Sequence, residues 1–206
     1  MSDHGQPLRE EDVSADPLRQ FARWSEQARE ADVREVEAAA LATASADGAP
    51  SVRMVLVKGF DERGFLLFTN YDSQKGRELA VNPRAALLFH WDPLGRQVRI
   101  AGPVERVGPE QTAAYVRSRA RRSQLSALAS PQSRVVAGRV ELERRVAELE
   151  RRYADADELP LPEQWGGFRL VPETFEFWQQ RADRLHDRLR YRRETDGGWL
   201  LERLAP

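Results

Sequence analysis

Ala40-Leu41-Ala42-Thr43-Ala44-Ser45-Ala46-Asp47-Gly48-Ala49-Pro50-Ser51-Val52-Arg53-Met54-Val55-Leu56-Val57 reads as two extended runs joined at Asp47-Gly48. Asp-Gly between β-rich runs is a hairpin signal, because glycine supplies the positive φ that tight turns require. The pattern repeats downstream, with a turn over Asp61 to Gly64 and an apolar run from Phe65 to Thr69. Further extended runs span Ala85 to Trp91, Gln97 to Val107, and a final set from Trp165 to Leu204. Successive hairpins of this kind predict a fold that is mainly antiparallel β.

Helices are expected between the strands. Asp16 followed by Pro17 is a helix start, and Leu18, Phe21, Trp24 and Ala28 give one apolar face ending near Ala31. A short helix from Ser73 to Val81 stops at Asn82-Pro83, and another opens at Pro109 and runs through Arg119. A long helix is expected from about Gln132 to Tyr153, with Val135, Leu142, Val146, Leu149 and Tyr153 on one face. The reading is therefore a small barrel decorated by helices. One domain is expected over 16–206, preceded by a disordered tail over 1–15 that is rich in charge and poor in large apolar groups.

Bulk properties narrow the function. A chain of 206 residues buries a sizeable core without staples. A net charge of −1 argues against a general nucleic-acid or anionic-membrane binder, which needs a basic surplus. Cysteine is absent, which removes thiolate metal sites and a cysteine nucleophile. No run approaches the roughly 18 apolar residues of a membrane span, and no apolar leader precedes Asp16, so a cytoplasmic protein is expected. No His-x-His or paired carboxylates stand at ligand spacing, so no metal site is expected.

Five segments carry groups suited to anions. Arg53 and Lys58 bracket Met54, Val55, Leu56 and Val57; strand parity puts the two cations on opposite faces, serving different groups. Phe68-Thr69-Asn70 runs into a helix start at Ser73-Gln74-Lys75, where free N–H groups and a lysine make a phosphate cradle, with simple capping as the bland alternative. Tyr115, Arg119 and Ser123 are spaced by four and would share a face of a continuing helix. Gln132 and Ser133 open the long helix. Finally, alternation puts Arg184, His186 and Arg188 on one strand face, where two guanidiniums flanking an imidazole call for an anionic, planar ligand. An exposed edge strand with solvated charges is the alternative there. His90, within an apolar strand, reads as a core histidine.

Taken together, Arg53-Met54-Val55-Leu56-Val57-Lys58, Phe68-Thr69-Asn70 with Ser73-x-Lys75, Arg96-Gln97-Val98-Arg99, Ser118-Arg119 with Ser123-Gln124, Gln132-Ser133, and Phe177-Trp178 with Arg184-Leu185-His186-Asp187-Arg188 occur in this order. The chain resembles the pyridoxamine 5′-phosphate oxidase family, from about Asp16 to Pro206. The resemblance implies an FMN-binding split β-barrel homodimer, with each flavin held between subunits. Carried over by motif, it implies FMN contacts at Arg53, Met54, Val55, Leu56, Val57, Lys58, Phe68, Thr69, Gln74, Lys75, Gln97, Gln132, Ser133, Trp178 and Arg188. Substrate contacts are implied at Lys58, Tyr115, Arg119, Ser123, Arg184 and His186, with Arg184 and His186 at the reacting end. The implied reaction converts pyridoxine or pyridoxamine 5′-phosphate to pyridoxal 5′-phosphate, with dioxygen as acceptor and hydrogen peroxide released. Related phenazine-biosynthesis oxidases, or a non-catalytic carrier of flavin or pyridoxal phosphate, are the alternatives. The chain departs from the family pattern in lacking an N-terminal Arg-x-x-Tyr, in Gln74 where an arginine is usual, and in Ala120 where a proline is usual.

Overall fold

The computed structural model describes residues 7–206, so the first six residues of the expected tail lie outside the described residues. Strands β1 (Ala38–Ala44) and β2 (Pro50–Leu56) form the hairpin read from Asp47-Gly48, with Leu41 opposite Arg53 and Thr43 opposite Ser51. The strands that follow are β3 (Gly59–Asp61), β4 (Gly64–Asn70), β5 (Arg84–Trp91), β6 (Arg96–Arg106), β7 (Trp165–Leu170), β8 (Thr174–Gln179), β9 (Asp187–Arg193) and β10 (Trp199–Arg203). All pair antiparallel, in the order β10-β9-β8-β6-β5-β1-β2, while β7 bridges β6 to β4 and β4 carries β3. The result is a sheet curled into a half-barrel.

The barrel divides along β6. Its first part, Arg96 to Ala101, pairs with β8, and its end, Val104 to Arg106, pairs with β7. Between them, Gly102 meets the segment that crosses from β7 to β8. A Cβ on Gly102 would stand 2.0 Å from the Val171 carbonyl oxygen, so only glycine lets the crossing close.

The core follows from strict alternation. Ala85, Leu87, Phe89 and Trp91 of β5 point inward, while Leu88 and His90 point out. His90 is therefore an exposed outer-face residue rather than the expected core histidine, because the apolar residues of β5 belong to the opposite parity. Helix α1 (Pro17–Glu30) starts where Asp16 Oδ1 accepts from the Leu18 N–H at 2.9 Å. It lays Phe21 edge-on against Phe60, Phe65 and Phe89, with ring centroids 5.0, 4.9 and 4.9 Å away, and Trp24 against Phe177 at 5.1 Å. These rings close the barrel from one side.

Three expectations change. Residues from Leu8 onward pack against the C-terminal strands, with Leu8 buried, its N–H on Asp187 Oδ2 (3.1 Å) and its carbonyl accepting from Arg203 Nη2 (2.8 Å). Arg203 also forks onto Glu10 at 2.8 Å and reaches Asp187 Oδ1 at 2.9 Å, so Glu10, one of the charges that signalled disorder, is partnered. The helix expected through Arg119 breaks into α3 (Pro109–Ser118) and α4 (Arg121–Ala129), with Arg119 extended at φ −78°, ψ 149°. The long helix α5 covers only Arg139–Arg152; Ser133 is left-handed at φ +68°, and Val135 is fully exposed instead of packed. Helix α2 (Gln74–Val81) matches expectation, capped by Ser73 Oγ accepting from the Gly76 N–H. None of the helices is long and apolar enough to cross a membrane among the described residues.

Candidate active site

A cavity of about 600 Å³ opens between β2, the end of β4, the start of α2 and the α3–α4 junction. Twelve of the residues singled out in the sequence line it: Arg53, Met54, Val55, Leu56, Lys58, Phe68, Thr69, Lys75, Tyr115, Arg119, Ser123 and Gln132. Four of these are cations, and no acidic side chain is among the lining residues. Such a wall favours anionic ligands strongly. Arg53 and Lys58 share the cavity despite their opposite parity, because β2 ends at Leu56 and the chain leaves the strand before Lys58.

One end of the cavity is a lysine cradle. Lys75 Nζ donates to Gln132 Oε1 at 3.0 Å, to Thr69 Oγ1 at 3.2 Å and to Ser73 Oγ at 3.4 Å. All three acceptors are neutral. Burial pushes the Lys75 ammonium below its ordinary range, Arg53 pushes it the same way, and Glu78 partly restores it. Thr69 Oγ1 also donates to Gln132 Oε1 at 3.2 Å, which ties the strand end to a residue 63 positions away.

Arg53 is held from behind. Its Nη1 donates to the Leu41 carbonyl at 3.2 Å, and its Nη2 donates to Ser51 Oγ at 2.6 Å and to Glu78 Oε2 at 3.2 Å. The buried Glu78 carboxylate also accepts from Thr43, from Ser51 at 2.6 Å and from Gln74 Nε2 at 2.9 Å. Burial alone would raise the Glu78 pKa, but hydrogen bonds from Ser51, Thr43, Gln74 and Arg53 outweigh it and hold the carboxyl at about 2, below its ordinary 4.5. A group depressed in this way stabilises the fold above its unfolded pKa, and that stability is lost as pH falls through the window between the two values. Glu78→Gln is therefore expected to lower the melting temperature near pH 7, and the gap to the parent should narrow as pH drops toward about 3. Calorimetry across that range checks it; a gap independent of pH would contradict the assignment. Gln74 spends its amide on Glu78 and does not line the cavity.

The other end is built at the helix break. The extended backbone at Arg119 and Ala120 brings Tyr115, Arg119 and Ser123 to one wall, which the expected continuous helix would have done by periodicity alone. Phe68 stacks on Tyr115 with ring centroids 3.9 Å apart and planes 12° apart, and burial raises the Tyr115 phenol while Arg119 opposes the shift. Strand β7 comes close here only because it carries glycines. A Cβ on Gly167 would lie 2.7 Å from Phe68 Cε1. Sequence reasoning did not assign Ser118, Ala120 and Trp165 to the cavity wall, nor Glu78 behind it. Trp165 lines the cavity, with the Arg119 guanidinium 4.8 Å from its ring centroid, and Glu78 holds Arg53. The Trp165-Gly166-Gly167 run was the available signal for the first; nothing local marked the second.

The remaining expected residues lie elsewhere. Val57 is buried in the core. Gln97, Trp178 and Arg188 stand side by side across β6, β8 and β9, as Cα partners in register. Arg188 Nε donates to Glu176 Oε1 and its Nη1 to the Ala205 carbonyl, both at 2.8 Å. The His186 ring packs on Trp178 at 4.6 Å, and its Nδ1 accepts from the Arg181 N–H at 3.0 Å, so the neutral ring carries its proton on Nε2. Arg184 is not on a strand face with them. It sits exposed in a turn at φ +64°, after Asp183 Oδ1 accepts from the Leu185 N–H at 3.0 Å, and β9 begins only at Asp187. The side-chain period that placed Arg184, His186 and Arg188 in a row thus applies to Arg188 alone. Ser133 also lies outside the cavity. The chain therefore carries two sets of expected site residues, one around the cavity and one on the outer sheet row.

Residues 25–153 match the family profile described as pyridoxamine 5′-phosphate oxidase, and residues 165–206 match a profile described as the pyridoxine 5′-phosphate oxidase C-terminal dimerisation region. The chain belongs to the pyridoxamine 5′-phosphate oxidase family. It is 56% identical over 195 residues to the pyridoxine/pyridoxamine 5′-phosphate oxidase of Ralstonia pickettii strain 12J, covering 95% of this chain and 91% of that one. Among solved structures, it is similar to PhzG from Burkholderia lata 383 in complex with tetrahydrophenazine-1-carboxylic acid, at 35% identity, a TM-score of 0.90, and coverage of 97% and 98%. A pyridoxamine 5′-phosphate oxidase-related, FMN-binding protein from Nostoc punctiforme PCC 73102 shares the fold at 18% identity, with a TM-score of 0.72 and coverage of 94% and 99%. For a member of the oxidase family, the division of the site has a location. Trp165, Trp178, Arg184, His186 and Arg188 all fall within the C-terminal dimerisation region.

Proposed function

We propose that this chain is an FMN-dependent oxidase that converts pyridoxine and pyridoxamine 5′-phosphates to pyridoxal 5′-phosphate, with dioxygen as acceptor and hydrogen peroxide as second product. The observation that carries the reading is a single cavity lined both by Lys58, Tyr115, Arg119 and Ser123 and by the Lys75 cradle. Two anion-binding ends in one cavity suit a mononucleotide and a phosphorylated substrate together. The high identity to the Ralstonia enzyme supports the same substrate class.

The residues present fit FMN. Arg53, Lys75 and Gln132 would hold its phosphate end, where Lys75 has found only neutral acceptors. Met54, Val55 and Leu56 give an apolar edge for a planar ring. No Gly-x-Gly-x-x-Gly loop for a dinucleotide occurs in the chain. Bound there, FMN would supply two-electron redox chemistry for oxidation at C4′ of the substrate. The protein supplies binding, orientation and charge. Lys58, Tyr115, Arg119 and Ser123 would hold the substrate phosphate, while Arg184 and His186 would fix the ring substituents at the reacting end. With its Nδ1 accepting from the Arg181 N–H, His186 offers Nε2–H as a donor there.

A homodimer accounts for the outer row of Gln97, Trp178, Arg188 and His186. In this reading, that row of one protomer completes the cavity of its partner. The face of β2, a terminal strand of the sheet order, supports it: Val52, Met54 and Leu56 are 69, 66 and 46% exposed, an apolar stripe that a second copy would cover. Light scattering with flavin fluorescence on dilution is expected to show flavin release in step with dissociation, and acid treatment is expected to release FMN. A monomer that keeps full flavin affinity, or recovery of FAD, would count against the assembly and the cofactor respectively.

A phenazine-type oxidase is the second reading, favoured by the backbone likeness to PhzG. Oxidation rates on the two B6 phosphates against their unphosphorylated forms separate the two. Strong preference for the phosphates supports the first reading; no turnover of either phosphate removes it.

A further inference from the structure

We propose that the indole N–H of Trp165 is a further donor to the substrate's phosphate, making Trp165 a specificity-determining residue of the cavity. The proposal rests on the oxidase reading above and extends it to a residue outside the motifs that suggested that reading. Among the described residues, two buried side-chain nitrogens have no hydrogen-bond partner, Arg119 Nη1 and Trp165 Nε1. They occur together. Both residues line the same cavity, and the Arg119 guanidinium lies over the Trp165 ring, 4.8 Å from its centroid.

A buried donor without an acceptor forfeits the hydrogen bond it had with water, so such groups call for a partner in the working state. Indole is a donor only, and its N–H can serve nothing but an acceptor. Arg119 has the same requirement and adds a charge. Two donors of this kind, stacked on one wall, match the several oxygens of one phosphate. The local structure fixes both. Trp165 opens β7 opposite Asn70, and the neighbouring Gly166 leaves no room for a Cβ, which would lie 1.8 Å from the Tyr71 hydroxyl. Arg119 is aimed by the extended backbone between α3 and α4. Lys75 and Gln132 have each other as partners, while Arg119, over the Trp165 ring, joins the helices that carry Tyr115 and Ser123, so the orphaned pair is placed with those two rather than with the flavin phosphate.

The test is Trp165→Phe in the full-length, FMN-loaded protein. Phenylalanine keeps an aromatic ring beneath Arg119 and removes the N–H together with the indole's second ring, so a ligand with phosphate is compared with one without it. Calorimetric titration with pyridoxal 5′-phosphate is expected to show an affinity lower by about tenfold, the scale of one lost hydrogen bond. Affinity for pyridoxal, which has no phosphate, should stay within about twofold, as should FMN affinity. Unchanged binding of pyridoxal 5′-phosphate, or equal weakening of both ligands, would overturn the proposal, because a packing role does not discriminate the phosphate. A second measurement needs no variant. In protein labelled with ¹⁵N-tryptophan, the Trp165 indole resonance should move downfield with pyridoxal 5′-phosphate and with inorganic phosphate, but not with pyridoxal. If the wild type oxidises neither B6 phosphate, the oxidase reading falls. The inorganic-phosphate titration then still decides the donor: a downfield shift retains it, and no shift removes it.

Discussion

Arg119→Ala is expected to lower kcat/KM for pyridoxamine 5′-phosphate by roughly 10- to 150-fold, corresponding to the ~1.5–3 kcal/mol of one charge-assisted hydrogen bond. FMN should remain bound at full stoichiometry. Arg119 lines the cavity with Tyr115 and Ser123, and its buried Nη1 has no hydrogen-bond partner among the described residues. Its removal also uncovers the Trp165 ring. Steady-state kinetics beside a flavin assay read the split. Arg184→Ala should follow the same pattern of weakened substrate and retained flavin. Flavin loss in Arg119→Ala with unchanged substrate kinetics would reverse the assignment of the two ends.

Lys75→Ala should do the opposite. It removes the ammonium that ties Thr69, Ser73 and Gln132 into one cradle, and with it the charge that would face a bound phosphate at the start of α2. FMN affinity is expected to fall by roughly 10- to 150-fold, and activity should recover as FMN is added back. Fluorescence titration of the apoprotein measures the loss. A variant that keeps its flavin through dilution, yet has weakened substrate binding, would show that Lys75 belongs to the substrate.

Much of this was legible in the sequence where the signal was local. Asp47-Gly48 placed the first hairpin, Asp16-Pro17 the start of α1, and Ser73 the cap of α2, because turns and caps are decided by the residues within them. Twelve cavity residues were named from motifs that the fold brings together. What failed depended on context. Extrapolating the strand period back from Arg188 to Arg184 ignored the Asp183 turn that interrupts it. Tyr115, Arg119 and Ser123 meet as expected, but across a helix break. Glu10 read as part of a disordered tail, since its arginine partner, Arg203, is nearly the whole chain away. Glu78 carried no local signal and Trp165 only the two glycines that follow it, and the folded contacts reveal that one holds Arg53 and the other lies under Arg119.

The central claim concerns turnover. Purified protein loaded with FMN should be supplied, in air, with pyridoxine 5′-phosphate and with pyridoxamine 5′-phosphate in turn. Aldehyde and hydrogen peroxide are followed together. Both substrates are expected to give pyridoxal 5′-phosphate with one peroxide per aldehyde, and the amine substrate also to release ammonia. Absence of aldehyde from both phosphates, in protein shown to hold FMN, would contradict it.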